Sequence, residues 1–165
     1  MNNKTILVVV AHPDDEVLGC GGTIARHASA GDKVVVLCLG DGVSSRDAIC
    51  EVDLERRREA ALKAASIMGV HELRCLSYPD NRMDTVPLLN IIKDIEDLIK
   101  AIQPKIVYTH HYADINIDHR CVHDAVVVAC RPQPNFSVSQ LVFFETASST
   151  EWRPNNSLQN FSPNL

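Results

Sequence analysis

In AHPDDEVLGCGG, residues 11–22, one histidine and three acids fall within five positions, directly after the apolar run TILVVV. Like charges crowded at the end of a buried strand repel one another, and burying them is costly unless a cation or a partner compensates. A positive group therefore belongs beside His12, Asp14, Asp15 and Glu16. His12 and Asp15 are three positions apart, a spacing with which one turn can aim both at a single ion while Asp14 points elsewhere. A third ligand can come from a loop across the site, and His119 in NIDHR is the natural candidate. Two imidazoles and one carboxylate suit zinc and leave a fourth position open, the pattern of a catalytic site. Zinc lowers the pKa of bound water to ~7 and polarises a carbonyl. Asp14, near the ion but not on it, can then take the water's proton.

The elements that must position these residues alternate along the chain. Runs rich in β-branched and aromatic residues predict strands at Thr5–Val10, Lys33–Leu39, Glu72–Tyr78, Lys105–His110 and Leu141–Glu145. Helical patterns fill the gaps, at about Gly22–Ala30, Asp53–Met68, Val86–Ile102 and Asp118–Cys130. The third carries an apolar stripe from Leu88 to Ile102, and Gly31, Gly69 and Pro104 punctuate the helix ends. Repeated strand, helix, strand units predict an α/β parallel sheet with right-handed crossovers and helices on both faces.

Ligands of such sheets gather outside the carboxyl ends of the strands. There stand HPDDE after the first strand, Asp41 after the second, Asp80 and Asn81 after the third, and HHYADINIDH after the fourth. The opposite rim holds little beyond Gly31, Asp32, Gln103 and Pro104. One rim thus collects nearly all of the capable chemistry.

With 165 residues, 45% hydrophobic and 22% charged, the chain is read as one domain with a sizeable core. A formal net charge of −5 argues against a nucleic acid or an anionic membrane as partner. No stretch approaches the length of a membrane span, and the apolar start is too short for a signal peptide. The six cysteines are scattered without a CxxC pair, which predicts reduced thiols in a cytoplasmic protein.

AHPDDE near the start, NIDHR about a hundred residues later and YPDNRMD between them resemble the PIG-L/LmbE-like N-acetylglucosaminyl deacetylases. The resemblance runs from about Thr5 to Pro134 and ends in ACRPQP. It implies a zinc-dependent hydrolase that removes acetyl from an N-acetylated amino sugar or its conjugate, on a Rossmann-like sheet without a nucleotide. It implies His12, Asp15 and His119 as metal ligands and Asp14 as general base. The deacetylase domain is then expected over 1–148, and an irregular tail, the stub of a truncated end, over 149–165. Such a tail would pack over the sheet or against a neighbouring subunit of a homo-oligomer.

Around this centre the readings divide. Asp118 either caps its helix or supports His119. Glu16 reads as a solvated acid of a first helical turn. Asp80 and Asn81 either build a turn or contact sugar. Arg56, Arg57 and Arg58 read as a solvated helix face, but the resemblance implies an arginine of this helix near the site, and Arg57 is taken as that residue. His110 and His111 read as substrate-side or supporting residues, and His27 and His71 as structural.

One departure matters for mechanism. The family commonly has a histidine, often assigned as the general acid, where this chain has Asn116. A neutral amide cannot give a proton to a leaving amine, although it can donate a hydrogen bond to a developing oxyanion. Either Asp14 returns the proton, or His110, His111 or His123 supplies one.

Two rival readings remain. LGCGGTIA after a strand has the look of a nucleotide-binding loop, but Ile24 stands where the third glycine is needed and three acids stand where a pyrophosphate would go. The other rival is a metal-binding domain that does not catalyse.

Overall fold

The computed structural model describes residues 3–45, 51–134, 136–152 and 161–163. Five parallel strands, β1 (Thr5–Val10), β2 (Lys33–Gly40), β3 (Glu72–Tyr78), β4 (Ile106–His110) and β5 (Gln140–Phe144), lie in the order β3-β2-β1-β4-β5. β1 sits at the centre, paired to β2 from Thr5↔Lys33 and to β4 from Ile6↔Ile106. A strand covered on both faces needs an unbroken apolar run, which is why Ile6 to Val10 are all fully buried.

The alternation of β1 sorts the core into two layers. Leu7, Val9 and Ala11 face α3 (Leu88–Ile102) and α4 (Ile117–Ala129), where Ile91, Ile95 and Ile99 supply the buried stripe. Ile6, Val8 and Val10 face α1 (Asp15–Ser29) and α2 (Glu51–Met68), through Cys20, Ile24 and Met68. The α/β sheet with helices on both faces is as expected from the alternation of elements.

The start of α1 differs from the expectation. The helix begins at Asp15 rather than near Gly22, and kinks at Cys20 (φ −146°, ψ 21°). Gly19 and Gly21, ahead of the expected start, lie inside the helix. Gly19 is needed for a close approach: a Cβ there would come within 2.2 Å of Phe144 Cδ2 on β5. Steric clearance, not turn formation, explains that glycine.

Candidate active site

The carboxyl ends of β1, β2, β3 and β4 open into one polar pocket of about 310 Å³, lined in part by His12, Asp15, Asp80, Asn81, Asn116 and His119. Ala11 and His12 follow β1 without a break, and Asp15 Oδ2 accepts the His12 backbone N–H at 2.9 Å. That bond closes the HPDD turn and turns the carboxylate back toward the His12 ring, Nδ1 to Oδ2 3.5 Å. His119, near the start of α4, presents Nε2 to Asp15 Oδ1 at 3.3 Å.

Each imidazole is held from behind by a second carboxylate. His12 Nε2 lies 2.9 Å from Asp118 Oδ2 and 3.1 Å from Asp80 Oδ1. His119 Nδ1 lies 3.0 Å from Asp114 Oδ2. Asp118 is fixed in turn by the backbone N–H groups of Asn81 (2.6 Å) and Met83 (3.0 Å), and Asp80 by the Ser45 hydroxyl (2.7 Å). Asp114 accepts from Ser149 Oγ (2.8 Å) and Thr150 Oγ1 (2.6 Å). Such carboxylate–histidine pairs fix which ring nitrogen faces inward.

These contacts bear on several of the open readings. The cap of α4 is Asn116, whose side-chain oxygen accepts the Asp118 N–H at 2.9 Å, so Asp118 is free to face His12. The carboxylate that reaches His119 is Asp114 rather than Asp118. Glu16 lies in the first turn of α1 as read, but it is buried rather than solvated, and Oε2 accepts the Asp14 N–H at 3.1 Å. Asp14 pairs with Arg57 Nη2, 2.7 Å distant, and lines the same pocket as the two imidazoles. Its backbone (φ 153°, ψ −23°) is in a region that non-glycine residues avoid at a cost of about 1–3 kcal/mol.

The remaining histidines part company. His110 is fully buried and stacks on His119 at 3.9 Å between ring centroids. Its Nε2 accepts the Ala11 N–H at 3.0 Å, and burial pulls its pKa down to about 3, so it stands as a neutral post behind the site. His123 donates Nδ1–H to the His110 carbonyl at 2.8 Å. His111 lies outside the polar pocket, in a separate cavity bounded by Leu141 and Phe143, with its ring edge-on to Phe161. His27 bridges Asp32 (2.7 Å) and the Tyr108 hydroxyl (2.9 Å), a structural tie as read.

The electrostatics favour a cation. Asp15, Asp80, Asp114 and Asp118 are each 4% exposed or less. Burial opposes protonation of His12, but hydrogen bonds to Asp118 and Asp15 outweigh it and raise its pKa to about 10. For His119, bonds to Asp114 and Asp15 likewise overcome burial and lift it to about 9. Against the cost of burial, the same contacts hold Asp15 well below the usual carboxylate range and Asp114 at about 2. Asp14 is shifted the other way: burial, then the charge of Asp15, raises it, while Arg57 restrains the rise. Burial also pushes Glu16 up to about 7.

Four buried carboxylates around two imidazoles are a cluster that protons compensate only while both rings are charged. A divalent cation supplies that charge with the rings neutral, the state in which imidazole ligates. Donor atoms of His12, Asp15 and His119 lie within 4.8 Å of one another, as do those of His110, Asp114 and His119 and of His12, Asp80 and Asp118. Of these, the first opens to the pocket with all three members. In the second, His110 and Asp114 are fully buried, and His110 already accepts a backbone N–H.

Asp114, Ser149 and Thr150 were not among the residues singled out in the sequence. Asp114 lies in the ADINIDH loop, five positions before His119. Ser149 and Thr150 follow β5 at the same rim, and Thr150 opens a short 3-10 turn, Thr150–Trp152. Within the expected tail, residues 153–160 and 164–165 lie outside the described residues.

Residues 7–130 match the sequence model of the family described as PIG-L, GlcNAc-PI de-N-acetylase. The chain belongs to the PIG-L family. A PIG-L relative in Escherichia coli K12, named as the uncharacterized deacetylase YaiS, is 36% identical over 151 residues, covering 88% of this chain and 76% of that protein. The solved N,N'-diacetylchitobiose deacetylase of Pyrococcus horikoshii superposes with a TM-score of 0.70 at 26% identity, covering 82% of this chain and 53% of that one. GalB of Pseudomonas putida KT2440, a 4-carboxy-2-hydroxymuconate hydratase, superposes with a TM-score of 0.69 at 28% identity, covering 82% of this chain and 60% of that one. The chain thus spans little more than half the length of these two solved structures. Among the described residues, no helix is long and apolar enough to cross a membrane.

Proposed function

We propose that this chain hydrolyses the acetamide of an N-acetylated amino sugar, or of a conjugate carrying one, with a divalent metal held by His12, Asp15 and His119. The observation that carries this reading is the paired backing of the two imidazoles: each turns one nitrogen to Asp15 and the other to a buried carboxylate. The nitrogen, nitrogen, oxygen donor set suits zinc. Such an ion, when bound, supplies Lewis acidity that polarises an amide carbonyl and lowers the pKa of water.

The chain's own groups do the rest. Asp14 Oδ accepts the proton of the attacking water, and Arg57, 2.7 Å away, favours its ionised form against the burial that raises its pKa. The bond from Asp118 N–H commits Asn116 Oδ1, which leaves Asn116 Nδ2 as a donor for the amide oxygen as charge builds there. Collapse of the tetrahedral carbon requires a proton on the leaving nitrogen. Asp14 returns it, because His110 is neutral with Nε2 engaged, His123 is tied to a carbonyl and His111 lies in another cavity. The hydroxyls and amides of Ser45, Asn81 and Ser148 on the pocket wall suit a polyhydroxylated sugar.

The likeness to GalB supports a second reading, addition of water to a carbon–carbon double bond of a hydroxy acid. One assay separates the two. The zinc-loaded chain is offered a panel of N-acetylated amino sugars and conjugates, with free amine and acetate measured, and in parallel an unsaturated 2-hydroxy dicarboxylate, with loss of its ultraviolet absorbance followed. Amine and acetate in equal amounts support the deacetylase. Hydration without amine release would transfer the site to the second reading, and neither product would leave a metal-binding domain without catalysis.

A further inference from the structure

Away from the active site, two thiols face each other across the sheet. Cys38 on β2 and Cys75 on β3 are register partners in the parallel ladder, so their side chains leave the same face of the sheet side by side. Neighbouring strands are spaced about 4.8 Å apart, within the Cα separation of about 4.4–6.8 Å that a disulfide spans. β3 is an edge strand, bonded to β2 alone, and the register shifts just beyond the pair, between Cys38 and Gly40. The backbone can therefore yield there to a covalent bond.

The pair is asymmetric in access. Cys38 is fully buried, whereas Cys75 is exposed and borders an open cavity of about 380 Å³ with Ser77, Tyr78 and Asp94. The neighbouring Cys38 sulfur, aided by the charge of Arg58, draws the Cys75 thiol below the usual thiol range against burial and the charge of Glu16, while Cys75 and burial push Cys38 up. By contrast, burial raises Cys20 and Cys130 to about 12 and raises Cys121. An exposed thiol registered beside a buried second thiol is the arrangement of a reactive pair rather than of two packing residues.

We propose that Cys38 and Cys75 form a peroxide-reactive dithiol that closes to a cross-strand disulfide. The Cys75 thiolate attacks a hydroperoxide: an S–O bond forms, the O–O bond breaks, and the distal oxygen leaves as hydroxide or alkoxide. The Cys38 sulfur then attacks the resulting sulfenic acid. The S–S bond forms, the S–O bond breaks, and the departing hydroxide takes up the Cys38 proton as water. The two thiols lose two electrons, and the peroxide is reduced by the same two.

The test uses the full metal-loaded chain, treated with hydrogen peroxide near neutral pH, alkylated and mapped by peptide mass spectrometry. The expected result is a Cys38–Cys75 disulfide reversed by dithiothreitol, with the other cysteines still alkylated. Cys75→Ser is expected to abolish the disulfide, and Cys38→Ala to leave a Cys75 sulfenic acid that dimedone traps. Cys75 alkylating fully after peroxide, oxidising to sulfinic acid without a disulfide in the unsubstituted chain, or pairing with a different cysteine would each overturn the proposal. Cys75→Ser changes only an exposed side chain, so its result stands even if Cys38→Ala folds poorly.

Discussion

Asp114 Oδ2 lies 3.0 Å from His119 Nδ1, so the inward-facing nitrogen of His119 is chosen by a carboxylate that never reaches the pocket. That carboxylate is shared with two hydroxyls from beyond β5. Orientation of the proposed metal ligand therefore depends on a segment distant in sequence.

Asp114→Asn keeps the shape of this buried group and removes its charge. The expected outcome is a metal affinity lowered by ~10–100-fold, the usual worth of such an outer carboxylate. Competition with a chromophoric chelator measures it. Unchanged affinity would reduce Asp114 to a packing role.

The pH profile follows from Asp14. As a base it must be ionised, so the rate rises as pH rises through its folded pKa, which burial and then Asp15 place above the ordinary aspartate value. Arg57 opposes that shift, so Arg57→Gln should move the acid limb of kcat to higher pH. Asp14→Asn should keep the metal and lower kcat by ~10²–10⁴. With no imidazolium acid, activity should persist well past a pKa of about 6.5 on the alkaline side. An alkaline limb at that position, lost together with the rate in His123→Gln, would give the acid role to His123.

Asp14 also carries backbone strain, and its side chain makes no cap bond to α1. Asp14→Gly is expected to raise the stability of the metal-free chain by about 1 kcal/mol while abolishing hydrolysis. Urea unfolding followed by circular dichroism would show the shifted midpoint. A lower midpoint would mean that the Arg57 pair outweighs the strain.

What could be read from the sequence was whatever depends on local pattern. β1 was legible as an unbroken β-branched run, and HPDDE and DH as charges that need a cation. The start of α1 was not, because Gly19 answers to Phe144, more than a hundred residues away. Asp114, Ser149 and Thr150 were missed for a related reason. The polar clusters visible in the sequence follow the first four strands, whereas the hydroxyls sit after the fifth, and only the folded sheet brings them to Asp114. Helix position alone leaves Asp118 open between capping and supporting His119; its pairing with His12 depends on the turn after β3, which supplies Asn81 N–H to Asp118 and Asp80 to His12.

Gly19→Ala tests the packing that the sequence concealed. The added methyl collides with the Phe144 ring, which itself packs 5.1 Å from His110. A loss of about 1–3 kcal/mol is expected, recovered in part by Phe144→Leu in the same chain. Chemical denaturation of the single and double variants reads the coupling, and strictly additive losses would contradict the contact.

The metal assignment bears most of the account, and zinc stoichiometry tests it most directly. Metal-free chain is titrated with zinc by calorimetry, in parallel with Asp14→Asn, His12→Ala, Asp15→Ala and His119→Ala. A single tight site per chain is expected in the first two, and its loss in the last three. Full binding in all of the alanine variants, or loss of binding in Asp14→Asn, would contradict it.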